Sequence, residues 1–232
     1  MKRAALTILL LAAAPAAQAF EITGGSVELG YSGFTGNLLK KLDKTALSGQ
    51  MEIGFSQTFS VQADLGFMVF GFNDENSSHF GLHSIYHVSD TTSLGMYFGQ
   101  DRILGGSLSI TGVEVGHQAG MVGLEGYLTY AKDSVEDGFV FGGSAGFDLS
   151  DNAGIGLRYD RADVDSTDFS RLSLTGEYTL ASGLALTGEL GSADIAGSGS
   201  EPFFGIGARM TFGANRGATF DDRSVLNLLP GL

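Results

Sequence analysis

From Ser48 to Phe70 the chain alternates with a period of two, in two runs parted by Gln57 and Thr58. Met51, Ile53 and Phe55 carry the apolar side of the first run, and Phe59, Val61, Ala63, Leu65, Phe67 and Val69 that of the second. Between them stand Gln50, Glu52, Gly54, Ser60, Gln62, Asp64 and Gly66. Successive side chains of a strand point to opposite faces, so the pattern dictates two strands, and the two polar residues between them make an antiparallel hairpin. One face of this hairpin is wholly apolar; the other bears carboxylates and glycines. A soluble sandwich would turn the apolar face inward and a membrane barrel outward, and a single hairpin satisfies both. Repetition and strand length separate the two.

Short turn signals recur at Gln57-Thr58, Ser89-Asp90-Thr91, Ala119-Gly120-Met121, Ser150-Asp151-Asn152 and Ala181-Ser182. They lie about 30 to 33 residues apart, which makes the chain a series of hairpins. Longer polar segments alternate with them, at 33–46, 72–77, 103–106, 133–137, 164–167 and 195–200. Short turns at one end and longer loops at the other are the asymmetry of an outer-membrane barrel, with the turns in the periplasm. The runs between are roughly 9 to 13 residues, against the roughly 9 to 11 that a tilted strand needs to cross a bilayer. Their apolar positions, such as Val27, Leu29 and Tyr31, or Leu172, Leu174 and Tyr178, carry no charge. Aromatics favour the strand ends, with Phe55, Phe59, Tyr86, Phe147, Tyr178 and Phe212 near the turns and Tyr31, Phe98, Tyr130, Tyr159 and Phe204 towards the loops. Two interfacial girdles have this form. The predicted fold is all-β: a transmembrane up-and-down antiparallel β-barrel of about 12 strands.

The ends of the chain are different. Lys2-Arg3, an apolar run from Ala4 to Leu11 and Ala17-Gln18-Ala19 predict a signal peptide over 1–19. The barrel is then expected over 20–212 and a periplasmic C-terminal tail over 213–232. Within that tail Asp221 or Asp222 is placed to cap a short helix ended by Pro230. The plain expectation is a flexible extension; the alternative is a segment that folds against the barrel mouth or binds a periplasmic partner. The formal charge of -13 excludes nucleic acid as a partner. An exported chain without cysteine has no disulfide framework and closes through backbone hydrogen bonds.

The last strand, Gly205-Ile206-Gly207-Ala208-Arg209-Met210-Thr211-Phe212, resembles the closing strand of Gram-negative outer-membrane β-barrels of the porin-like kind. Gly205 stands where a polar residue is usual, and a tail follows Phe212 where such proteins normally stop. The resemblance implies location in the cell outer membrane, contact with its lipid and lipopolysaccharide, and a family in which homo-oligomers occur.

With the apolar face on lipid, the lumen receives Glu28, Glu52, Asp64, Glu114, Glu125, Glu177 and Glu189, with Arg158, Arg171 and Arg209. As a belt of carboxylates they would raise the local concentration of cations; paired with the arginines they would instead form an interior network. Glu28 and Arg209 are expected to pair across the closure. Frequent lumen glycines, Gly95 and Gly116 among them, would widen a narrow bore or let aromatic neighbours lie flat. His79, His83 and His87 share one strand face about 13 Å apart and do not hold one metal together. The acids of the loops, Asp74, Glu75, Asp160, Asp163, Asp165 and Asp168, offer oxygen donors without EF-hand spacing and read as solvated. Lys40, Lys41 and Lys44 read as a basic first loop. The histidines have no evident serine and acid partners, and neither an enzyme nor a cofactor is expected. The expected function is a passive channel for small hydrophilic solutes and ions with a mild preference for cations. The rivals are a non-conducting structural or adhesive barrel and a lipid-modifying enzyme.

Overall fold

The computed structural model describes residues 20–230 except 37, 38, 40, 41, 72–75, 104, 165, 166, 181, 182, 198, 215 and 216. The expected signal peptide, Lys40, Lys41, Asp74, Glu75, Asp165 and the turn Ala181-Ser182 lie outside the described residues.

Twelve strands follow one another: β1 (Glu21–Phe34), β2 (Asp43–Ser56), β3 (Phe59–Phe70), β4 (Asn76–Ser89), β5 (Thr92–Ile103), β6 (Gly106–Ala119), β7 (Val122–Lys132), β8 (Asp137–Ser150), β9 (Ala153–Val164), β10 (Thr167–Thr179), β11 (Leu184–Ile195) and β12 (Gly199–Phe212). Each pairs antiparallel with its neighbours in sequence, and β12 returns to β1 to close the barrel. The alternation explains the strands and closure leaves no edge unpaired, which a chain crossing lipid requires. Strands of 11 to 14 residues span a bilayer when tilted. The closing register sets Glu28 opposite Arg209, the pair expected from the sequence.

The apolar faces point outward. Leu174 and Leu190 are 65% and 68% exposed, and the same face of every strand carries exposed Leu, Val, Ile, Met or aromatic side chains. A surface this oily around the whole circumference is a lipid-facing belt.

Apolar side chains also fill the interior at the loop end. Phe34, Tyr97, Ile110, Ala131, Val140, Ala162, Phe169, Ala193 and Phe203 come from nine strands and form one buried cluster. Met68 and Phe70 of β3 form a second. Both clusters close around the tail.

After Phe212, Gly213 takes a positive φ of 87° and the chain turns back on itself. It passes β1 at Gly24, where a Cβ would stand 1.6 Å from the Gly217 carbonyl oxygen; only glycine leaves room. Residues 217–230 then run up the inside of the barrel and end in a 3₁₀ turn over Val225–Asn227. The Ser224 hydroxyl caps that turn, accepting the Leu226 N–H at 3.2 Å. Leu228 joins the first apolar cluster and Leu226 the second. The sequence led to expect a periplasmic extension here; the segment lies in the lumen instead, because its charges find partners on the wall and its leucines find the apolar ring.

Candidate functional site: the barrel interior

The tail divides the interior into two unlike halves. Against β2 to β7 it is bound closely. Gln62 clamps Phe220 at both backbone groups: its Nε2 donates to the Phe220 carbonyl at 2.8 Å, and its Oε1 accepts the Phe220 N–H at 3.1 Å. Glu52 accepts the Thr219 N–H at 2.8 Å, and Asp101 accepts both the Val225 N–H at 2.9 Å and the Ser224 hydroxyl at 3.0 Å. Arg223 donates to Glu114 at 3.0 Å and contacts Glu125, with its guanidinium 4.4 Å from the centre of the Tyr127 ring. Lys44, read from the sequence as part of a basic loop, is buried in β2, where its Nζ donates to the carbonyls of Leu226 and, at 2.6 Å, Leu229. Those are the orphan carbonyls at the end of a helical turn.

Two histidines lie under this segment. His83 places Nε2 2.6 Å from Asp64 and Nδ1 2.5 Å from Glu114. Both nitrogens can donate only as imidazolium. His79 has Nδ1 2.7 Å from Asp101 and Nε2 2.7 Å from Asp222 of the tail. Sequence spacing alone shows no acid partners for these histidines, because the partners come from β3, β5, β6 and the tail. Ser60, 3.0 Å from His87 Nε2, donates its own proton to Glu52 at 2.6 Å, and His87 Nδ1 faces Ser93 rather than an acid.

Asp64, His79 and Asp222 bring three ligand atoms within 4.8 Å. The 2.7 Å between His79 and Asp222 is shorter than the roughly 3.3 Å that separates two ligands on one tetrahedral ion held at about 2.0–2.1 Å. The contact is an ion pair. Burial by itself would raise the Asp222 carboxyl, but His79 and the Ser224 backbone N–H outweigh it and hold that carboxyl below its ordinary range.

The other half, between the tail and β8 to β12 with β1 and β2, is open. A cavity of about 700 Å³ runs from Ser150, Asp151 and Asn152 at the short turns to Ser32 and Lys44 below the apolar ring. Glu28, Glu177, Glu189, Arg158 and Arg209 line it. Arg209 bridges Glu28 at 2.8 Å and Glu177 at 3.0 Å. Arg158 bridges Asp160 and Asp221. Arg171 bridges Asp160 at 2.7 Å and Glu189 at 3.8 Å, and donates to the Asn227 carbonyl at 2.9 Å. The seven acids predicted to share one belt are thus parted: Glu28, Glu177 and Glu189 face the cavity, while Glu52, Asp64, Glu114 and Glu125 face the tail or the histidines beneath it. Asp160, grouped with the loop acids, is fully buried on β9 and ties two arginines together.

A closed twelve-strand barrel with short turns at one end, loops at the other and an apolar exterior has the fold of the transmembrane β-barrels found in outer membranes. Solved structures share this fold. The KdgM porin superposes with a TM-score of 0.63 at 10% identity, covering 81% of this chain and 99% of the porin. The NanC porin gives 0.62 at 11%, covering 80% and 98%. An outer membrane channel from Pseudomonas putida F1 gives 0.52 at 11%, covering 86% and 100%. No protein-family model and no curated protein sequence matches the chain.

Proposed function

We propose that the protein is a passive outer-membrane channel for small hydrophilic solutes, with a preference for cations, whose path runs beside its own tail. The observation that carries this reading is the charged, hydroxyl-rich cavity inside a barrel of porin fold. Its lining holds Glu28, Asp148, Asp151, Glu177, Glu189, Asp221 and Asp222 against Lys44, Arg158 and Arg209. Fixed carboxylates in excess concentrate cations and repel anions. The KdgM porin has been solved in complex with oligogalacturonate, a polyanion; an acid-rich lining suits cations or neutral solutes better.

The apolar packing around Leu226 and Leu228 favours a second reading, a barrel that stays closed and serves as structure. Single-channel recording in planar bilayers separates the two. Open levels favouring K⁺ over Cl⁻, with the preference reduced by combined Glu28→Gln, Glu177→Gln and Glu189→Gln, support the channel. Silence at every voltage, from the full chain and from the chain ending at Phe212 alike, leaves the structural barrel.

A further inference from the structure

We propose that the inner wall of β2 to β7 is a peptide-binding site, and that residues 219–229 are a ligand recognised by sequence and exchangeable with the same segment supplied by another molecule. The barrel is complete without its tail. The ladder between β1 and β12 ends at the pair Gly25 and Phe212, and among the described residues none of the tail pairs with a strand. What holds the tail is side-chain recognition of the kind that reads a peptide. Its main chain is met at Thr219, Phe220, Val225 and Leu226 by Glu52, Gln62, Asp101 and Lys44.

Its side chains are read one by one. Phe220 is fully buried, stacked on His83 at 6.2 Å and 13°. Cβ atoms at Gly95 and Gly116 would come within 2.7 Å and 3.3 Å of its ring, so both glycines shape its slot. Asp222 meets His79, Arg223 meets Glu114 and Glu125, and Ser224 meets Asp101. Leu226 and Leu228 then enter the apolar ring. The ligand class is therefore an extended Phe-Asp-Asp-Arg-Ser segment followed by a turn presenting leucines. Docked, it sets those leucines among the apolar side chains at the loop end.

The test uses the chain ending at Phe212, refolded in detergent, and a fluorescent synthetic peptide of residues 213–232. Saturable binding by anisotropy is expected, weakened roughly tenfold or more when the peptide carries Arg223→Ala. A folded truncated barrel that does not bind the peptide, or binds both peptides equally, overturns the proposal. If truncation prevents folding, the full chain decides, since it holds no cysteine and Ser224→Cys adds a unique thiol. That thiol should resist maleimide and become reactive when Gln62→Ala and Arg223→Ala are added. Labelling at the rate of the urea-unfolded chain without those changes, both at Ser224→Cys and at Val225→Cys, where the polar contact to the wall is made by the main chain, overturns it. Conductance is recorded in parallel: peptide that binds and lowers the current of the truncated barrel supports both this site and the channel. Peptide that binds a silent barrel upholds the site and removes the channel.

Discussion

Asp160 receives hydrogen bonds from the Tyr127 hydroxyl at 2.7 Å, Arg158 Nε at 3.0 Å, and Arg171 Nε and Nη2 at 3.1 and 2.7 Å. A carboxylate with no solvent access persists only when paired, and here it also keeps two guanidinium groups from facing each other uncompensated. Asp160→Asn keeps the shape and removes the charge. It should lower barrel stability by about 3–5 kcal/mol, the cost of breaking a buried ion pair, read as an earlier urea midpoint by circular dichroism in micelles. The glycines act at the same scale. At Gly95 a Cβ would lie 2.5 Å from Glu114 Cγ and 2.7 Å from the Phe220 ring. Gly95→Val should therefore expel Phe220 from its slot while the barrel stays folded. Maleimide labelling of a Ser224→Cys background checks this, because labelling should accelerate without loss of the β-sheet signal. The reading that lumen glycines let aromatics lie flat is met here, and again at Gly191, where a Cβ would fall 2.6 Å from the Phe203 ring.

Among elements, the strands were legible and the tail was not, for one physical reason. A strand with one face on lipid and one face inward repeats its polarity every second residue, so Phe59 to Val69 declares its faces without reference to any other part of the chain. The tail forms no ladder and buries its backbone against side chains scattered over β2, β3, β5 and β10. Nothing in Phe220 to Leu229 shows where Glu52, Gln62, Asp101 and Arg171 will stand. A hint did exist at the end of β3, where Met68 and Phe70 break the polar face just after Gly66. Inward apolar residues at a loop end need an apolar partner, and Leu226 supplies it. The docking of the tail also has a predictable pH dependence. The Asp222 carboxyl is held below the ordinary 3.8, so its contribution is fully present above that value and is lost only as pH falls through the lowered one. The Ser224→Cys thiol should thus stay protected at pH 5 and lose protection only below the ordinary carboxylate range. Full exposure already at pH 5 would mean that the ion pair with His79 does not hold the segment.

For the whole molecule, every residue role depends on which side of the sheet meets lipid, and the interior and exterior make opposite demands on one strand. On β10, Arg171 points inward and is almost fully buried among carboxylates, while Leu172 and Leu174 point outward and are more than half exposed. A soluble β-protein of the same sequence would reverse the meaning of that exposure: its leucines would face water around the entire circumference. A charge placed at Leu174, near the middle of the strand, distinguishes the two. On a lipid-facing surface Leu174→Arg should destabilise the barrel folded in phospholipid bilayers by about 2–4 kcal/mol, and the penalty should shrink to about 0–1 kcal/mol for Tyr178→Arg close to the short turns. On a water-facing surface both changes would be nearly neutral, as surface substitutions generally are. Urea titrations of the two variants in bilayers, set beside the same titrations in short-chain detergent, measure the difference. A steep dependence on depth along β10 identifies the leucine face with the hydrocarbon core, and with it the side of Glu28, Glu177 and Glu189 with the aqueous lumen.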